Sequence, residues 1–198
     1  YADFKNAPDV VFQVDALEGG FAATIPSDPV SVEEGSQSIV DVVSQLALEA
    51  GLSLQNQGVE GTSPRIVLSG DPIKKLNDYG RAVGFIPVID GETLTIFPRG
   101  GYREGSTPLL SRYSGLVGYP RFSSTGITAR CIFNPEIKFG SFVQVDSVVP
   151  RASGLWQVTR VTHNLGVNTS YKSPWLTEFD AVPYGDNTIF STSDRGSG

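Results

Sequence analysis

The sequence predicts an α+β protein in which an antiparallel β-barrel-like domain follows a small two-helix α+β module. Three observations carry this expectation. Within Gly115 to Leu165, three runs, Gly126 to Phe133, Ser141 to Val149 and Leu155 to Leu165, are rich in Val, Ile, Thr and Phe and bounded by Gly, Pro, Asn or Ser, which suits a strand meander. Ahead of them, two stretches carry apolar residues at helical spacing. Between helices and meander, Asp90-Gly91-Glu92 is a strong short-range hairpin signal.

Taken in order, Val10 to Ala16 and Phe21 to Ile25 are predicted to pair across the loop ending at Gly19-Gly20. Val30 to Val32 is the first short strand of the module. Ser36 or Ser38 then offers a helix N-cap, with Ile39, Val42, Val43, Leu46, Ala47 and Ala50 on one face and Gly51 as terminator. Strands follow at Leu52 to Gln55 and Arg65 to Ser69. Asp71-Pro72 starts a second helix, with Ile73, Leu76, Gly80 and Val83 on its apolar face and Gly84 closing it. Phe85 to Ile89 and Thr93 to Phe97 complete a sheet that both helices cover on one side. The fourth barrel strand is expected at Trp175 to Val182. The expected divisions are 1–29, an N-terminal β-hairpin; 30–99, the α+β module; 100–114, a glycine-rich linker; 115–184, the barrel domain; and 185–198, a small, polar, flexible tail with Ile189 and Phe190 as its only apolar anchors.

Two corners punctuate the meander. Asn134-Pro135 is rigid, because proline fixes its own φ and holds the preceding residue extended. At Phe139-Gly140-Ser141, glycine supplies the positive φ that other residues resist.

Composition narrows function. The chain has 198 residues with 21 acidic and 15 basic side chains, a net charge of -6. That balance argues against gripping nucleic acid, since such affinity comes from Lys and Arg neutralising phosphates. The single cysteine, Cys131, cannot form an internal disulfide and reads as a small buried hydrophobe. The longest apolar run, Ala82 to Ile89, is too short for a bilayer, so a soluble protein is expected, with no membrane partner. The absence of methionine and the start at Tyr1 lead us to expect a piece of a longer chain.

No catalytic, cofactor or metal site is predicted, and no enzyme. His163 is the only histidine, so a multi-histidine metal site is impossible. It shares a strand face with Val161 and Leu165 and reads as a packed, hydrogen-bonded side chain. No nucleophile elbow accompanies it. Glu136, Asp146, Glu178 and Asp180 are the acids left over for glycosidic chemistry, but nothing in the sequence fixes a pair across a cleft. Phosphate-loop, dinucleotide, zinc and calcium motifs are absent. Trp156 and Trp175 read as barrel core or interface anchors.

The strand, helix, strand, strand, helix, strand, strand order resembles the short ring-forming domains of secretins and of related secretion and phage tail proteins. A broader resemblance rests on Leu116 to Pro120 (LVGYP), Ile127 to Phe133, Phe133-Asn134-Pro135, Phe139-Gly140, Trp156-Gln157-Val158 and Val161 to Leu165, together with QLALEAGLSLQNQGV and DGETLTIFPRG. In these, the chain resembles the baseplate hub proteins of contractile-tailed phages, the group that includes late control protein D and the hub part of type VI secretion spikes. The resemblance implies a structural virion protein in the tail baseplate, made in the host cytoplasm. It implies a homotrimeric ring with two barrel-like domains per chain, the N-terminal hairpin belonging to the other barrel. The implied partners are a central spike, the tail tube and other baseplate proteins, with DNA passing through unbound. Phe133, Asn134, Pro135 and Gly140 would shape the barrel corner, and Trp156, His163 and Trp175 would pack or make contacts. The competing classes are a tail-associated cell-wall hydrolase and a secretion-system ring module.

Overall fold

In the computed structural model the structure describes residues 2–6, 9–12, 24–166 and 175–184. The chain divides into two compact units, Tyr1–Gly101 and Tyr102–Gly198.

In the first unit, β1 (Ala2–Asn6) pairs antiparallel with β2 (Asp9–Phe12). Val10 is thus in a strand, but its described partner precedes it. The expected partner at Phe21 to Ile25 lies outside the described residues except for Thr24 and Ile25, which are 3-10 helical and a bend and not strand. There follow β3 (Val30–Val32), α1 (Ile39–Glu49), β4 (Ser53–Asn56), β5 (Ile66–Leu68), α2 (Pro72–Val83), β6 (Phe85–Asp90) and β7 (Thr93–Pro98).

The helix ends follow from their caps. Ser38 is the N-cap of α1, its Oγ accepting from the Asp41 N–H at 3.0 Å while the Asp41 carboxylate accepts from the Ser38 N–H at 3.3 Å, a reciprocal pair that satisfies two otherwise orphaned donors. At the start of α2, Asp71 accepts from the Lys74 N–H at 2.8 Å. Gly84, at φ 90°, ends that helix in the left-handed conformation.

One sheet under both helices was the expectation, and the structure has two. β3 pairs antiparallel with β5, while β4, β7 and β6 form a separate sheet in which β4 runs parallel to β7. The division follows from direction: Gly51 reverses the chain after α1, and β4 then lies along β7, leaving the short β3 and β5 to pair with each other. Val42, Val43, Leu46, Leu76, Leu94 and Ile96 fill one core.

The buried face of α2 also differs from the periodic reading. It is formed by Leu76, Tyr79 and Gly80 with Lys75, while Ile73 and Val83 pack only partly. Tyr79 meets Phe85 edge to face at 5.8 Å. Lys75 is fully buried, and its ammonium donates to Ser27 Oγ and the Asp28 carbonyl, with the Glu49 carboxylate at 3.5 Å. A buried charge persists only where such partners replace water. The clamp joins α2, α1 and the segment leading into β3.

The second unit holds β8 (Leu109–Ser111), β9 (Arg121–Phe122), β10 (Ile127–Ile132), β11 (Phe142–Asp146), β12 (Gly154–Asn164) and β13 (Leu176–Pro183) in one curled sheet, ordered β8-β11-β12-β13-β10-β9. β8 lies within the stretch read as linker from its glycines. It joins β11 in parallel, and the other pairings are antiparallel.

The simple meander is corrected to a Greek key, because β10 neighbours β13 and not β11. The donors after β10 explain this. The Phe133 N–H goes to the Trp175 carbonyl at 2.9 Å and the Asn134 N–H to Thr177 Oγ1 at 3.0 Å, so this end of the chain is committed to β13. The segment then crosses, and the Gly140 N–H reaches the Val158 carbonyl at 2.8 Å on the far side of β12.

Two backbone details shape the sheet. The register of β12 against β13 shifts between Val158 and Arg160, a β-bulge that reverses which alternate residues face inward. Trp156 and Val158 face the core before it, and Val161 and His163 take that face after it, opposite Phe179 and Thr177. At Gly126 an added Cβ would lie 1.9 Å from the Ala181 carbonyl oxygen, so only glycine permits the approach of β10 to β13 there.

Two stability outcomes follow. Gly126→Ala must push β10 off β13, and the overpacking is expected to cost about 3 kcal/mol in urea unfolding. Glu49→Ala leaves the buried Lys75 ammonium without its counter-charge and is expected to lose about 3 kcal/mol, whereas Lys75→Met, which removes the charge and keeps the volume, is expected to lose less.

Candidate assembly surface

The sheet of the second unit nearly closes on itself. β8 is its first strand and β9 its last, yet only Arg112–Ser114 separates Ser111 from residues that flank β10. The Ser114 N–H and Leu116 N–H both reach the Ser111 carbonyl, at 3.1 and 2.9 Å, making the corner. Ser114 Oγ accepts from the Ser111 N–H at 2.8 Å and donates to the Leu109 carbonyl at 2.7 Å. Beyond it, the Ile132 N–H donates to the Gly115 carbonyl and the Val117 N–H to the Arg130 carbonyl, each at 2.8 Å. The opposite sheet edges thus meet at one tight corner.

The residues selected from sequence fall into two places. Trp156 is buried core, its indole N–H donating to the Ala152 carbonyl at 3.0 Å. Gly140 is also buried, at φ 81°. Phe133, Asn134, Pro135, His163 and Trp175 gather at the end of β10, β12 and β13. The Phe133 ring stands edge-on to both His163, 5.2 Å between centroids, and Trp175, 5.8 Å. Trp175 is 49% exposed, although its N–H donates to the Gly166 carbonyl at 2.8 Å. Asn134 Oδ1 accepts from the Glu136 N–H at 2.9 Å, which fixes the turn around Pro135.

Thr177 joins this cluster and was not singled out. Its side chain is fully buried on the inward face of β13, between Cys131 and His163 in register. Thr177 Oγ1 accepts from the Asn134 N–H and lies 2.8 Å from His163 Nδ1. Its sequence signal is a polar residue in step with the inward-facing Phe179 and Ala181, since a buried hydroxyl needs partners. Burial pushes the Cys131 thiol up to about 11, against a hydrogen bond from Thr177 that acts the other way. A thiol so held is a poor nucleophile near neutral pH.

Three of the four acids considered for glycosidic chemistry have other partners, and the fourth, Asp146, lines the groove described below. Asp180 pairs with Arg160 at 2.8 Å and accepts from Thr128 Oγ1 at 2.6 Å, Glu178 lies 4.0 Å from Arg130, and Glu136 accepts from Ser106 Oγ at 3.1 Å. Arg160, Arg130, Glu178 and Asp180 form a polar outer face on β10, β12 and β13. No group of acids, histidine and cysteine among the described residues is arranged to hold a metal ion, and no described helix is long and apolar enough to cross a membrane.

A groove of about 550 Å³ opens beside the corner, between Ser111–Leu116 with Tyr119 on one side and Asp146–Val148 on the other. Tyr113, Tyr119 and Val148 are exposed around it, at 82%, 71% and 64%. The Arg112 guanidinium stacks 4.4 Å from the centre of the Tyr113 ring and donates to its hydroxyl. The motif containing Tyr119 was legible in the sequence, but its place on a concave surface was not.

This fold recurs in tail proteins. The tail protein from Neisseria meningitidis MC58 is similar with a TM-score of 0.60 at 11% identity, over 82% of this chain and 71% of that one. The Escherichia coli c3393 protein, described as a component of the type VI secretion system with structural similarity to T4 tail proteins gp27 and gp5, gives 0.57 at 14% identity, over 85% and 54%. The 43 kDa tail protein of prophage MuSo2 from Shewanella oneidensis gives 0.53 at 10% identity, over 77% and 63%. Among curated protein sequences, nothing matches. The sequence profile of the baseplate hub gp41 family matches residues 3–171, and the chain belongs to that family. Its role is a structural one in a tail baseplate.

Stability should depend on Cys131 in one pH window. The folded thiol titrates about 11 against an ordinary 9.0, so its contribution is complete below pH 9 and is lost as pH rises toward 11. Unfolding curves of wild type and Cys131→Ala are expected to differ by a constant below pH 9 and to converge above it.

Proposed function

We propose that this chain forms a homotrimeric ring at the centre of a contractile phage tail, joining the tail tube to a central spike and leaving a channel for DNA. Membership of the baseplate hub family carries the reading. A curled sheet with strands at two open edges supports it, because unpaired backbone at an edge is a template for a neighbouring subunit and a closed ring satisfies every such edge. Leu109 on β8 and Phe122 on β9 are exposed apolar groups at those edges. The likeness in fold to a protein described as a type VI secretion system component similar to T4 tail proteins is consistent with a place in a tail-like assembly.

In this reading Trp175 and His163, on the exposed end of the sheet, are contact residues. Phe133, Asn134 and Pro135 hold that end in shape, while Gly140 and Trp156 act inside the subunit. The net charge of -6 suits a channel wall that repels phosphates and lets DNA move without adhering. Assembly takes place in the host cytoplasm, before the baseplate enters the virion, with spike, tube and other baseplate proteins as partners.

Solution mass by light scattering, over a range of concentrations and with the natural flanking residues restored, tests the reading. A trimer is expected. A monomer that persists in the presence of spike and tube proteins would count against the ring. Trp175→Ala is expected to weaken self-association or partner binding at least tenfold, while changing urea stability by less than about 1 kcal/mol, as expected of an exposed anchor.

A further inference from the structure

The groove beside the Ser111–Leu116 corner is not used in the reading above. Resting on that reading, we propose that this side of the second unit, from Leu109 through the corner to Phe122, is the face on which one copy of the chain receives the first unit of the next copy. Exposed tyrosine and aliphatic side chains make its centre, and Arg112 and Arg121 meet the acidic side chains of that unit.

The exposed apolar groups gather on this side. Leu109, Tyr113, Tyr119, Phe122 and Val148 are all exposed, and three of them, Tyr113, Tyr119 and Val148, line the groove of about 550 Å³. The outer face of β10, β12 and β13 differs, since there Arg130 faces Glu178 and Arg160 pairs with Asp180. Single exposed apolar residues are ordinary on a protein surface, whereas a group of them around a concavity marks a contact. Tyrosine and arginine are the residue types that such contacts favour.

Charge selects the occupant. Of the 21 acidic and 15 basic side chains, fourteen acidic and six basic lie in Tyr1–Gly101, and seven acidic and nine basic in Tyr102–Gly198. The chain thus carries a strongly negative unit and a slightly positive one. Between copies, unlike units attract and two first units repel. At the groove, Asp146 is the one carboxylate in the lining, and Arg112 and Arg121 have no carboxylate partner among the described residues. The Arg112 guanidinium is ordered by stacking on Tyr113. On the first unit, Glu34 and Glu60 are exposed and have no cationic partner among the described residues. Their loops are tied together by three backbone bonds, from the Gly35 N–H to the Ser63 carbonyl at 3.0 Å, from the Ile39 N–H to the Gly61 carbonyl at 3.0 Å and from the Ser63 N–H to the Gln37 carbonyl at 2.9 Å. Glu34 and Glu60 are the acids offered to Arg112 and Arg121.

The two surfaces are different, so the contact is heterologous. Each copy offers its groove to one neighbour and its acidic unit to the other, and such a contact closes into a ring. A contact of groove on groove would stop at a dimer and set Arg112 and Arg121 against their own copies.

The test measures self-association by sedimentation and light scattering on the chain with its natural flanking residues restored. The variants are Arg112→Glu with Arg121→Glu, Glu34→Arg with Glu60→Arg, all four reversals in one chain, and Tyr119→Ala. Either pair of reversals, and Tyr119→Ala, is expected to weaken association at least about tenfold, and the chain with all four is expected to return to within about threefold of wild type. Circular dichroism and the urea midpoint identify any variant that fails to fold, and Arg121→Glu alone, outside the corner, then replaces the pair. A wild-type trimer that no variant weakens would overturn the inference and leave the ring reading standing. Weakening by the separate pairs without recovery when all four are combined would also overturn it, by assigning the groove to a different occupant. A wild-type chain that stays monomeric with spike and tube proteins present removes the ring reading, and this inference with it.

Discussion

The second unit depends on the hydrogen bonds that Ser111 accepts at its carbonyl. Through them, a chain that has just completed β8 turns in three residues and runs along β10, at the opposite end of the same sheet. A curled sheet that is left open exposes two backbone edges, and one closed by strand pairing around the whole circle exposes none. This one is intermediate: the corner ties the edges at one point while β8 and β9 remain terminal strands. The Ser114 hydroxyl stabilises the arrangement by serving as acceptor and donor at once, which relieves backbone groups that the turn would leave unpaired. The groove is the geometric remainder, the space where two edges approach without merging.

The first unit is organised by a different constraint. Its helices are capped by residues with familiar local chemistry, and its apolar core is ordinary, but Lys75 is fully enclosed. Such a side chain is retained only with acceptors placed around it, and here they come from Ser27, Asp28 and Glu49. The ion pair is weak evidence for net stability, because desolvation offsets the attraction. Its effect is positional: the segment before β3, the end of α1 and the first turns of α2 must meet at one point. Gly80 has a comparable role, since a Cβ there would come within 2.8 Å of the Phe85 carbonyl and hold α2 away from β6.

Much of this was legible in the sequence where local chemistry decides the outcome. Ser38, Asp71-Pro72, Gly84 and the Asp90-Gly91 turn specify their elements through nearby atoms, and the structure places those elements where the sequence did. The long-range choices were not legible. Asn134-Pro135 signals a corner but does not say which strand lies beyond it, because the deciding bonds run to Trp175 and Thr177. β8 is a three-residue strand among glycines and prolines, held by pairing with β11 and with no propensity of its own to announce it. The burial of Lys75 has no local signal, since it depends on acceptors distant in sequence. The aromatic cluster was half legible: Phe133, His163 and Trp175 were chosen separately, and only the fold brings His163 and Trp175 against the Phe133 ring.

The bulge in β12 accounts for the character of that cluster. Without an inserted residue between Val158 and Arg160, strict alternation would turn His163 to the outer face once Trp156 and Val158 faced inward. The shift keeps Val161 and His163 over Phe179 and Thr177, but β12 runs on past the part that β11 covers, since β11 pairs only with Gly154 to Gln157. The end of β12 is less buried than the part that carries Trp156 and Val158. The edge-on packing of Phe133, His163 and Trp175 covers it in part, leaving Trp175 half exposed. A rigid aromatic anchor on a hydrogen-bonded platform loses little conformational entropy on contact. The two tryptophans of this Greek key thus stand in opposite surroundings, Trp175 half exposed at one end of the sheet and Trp156 enclosed in its core.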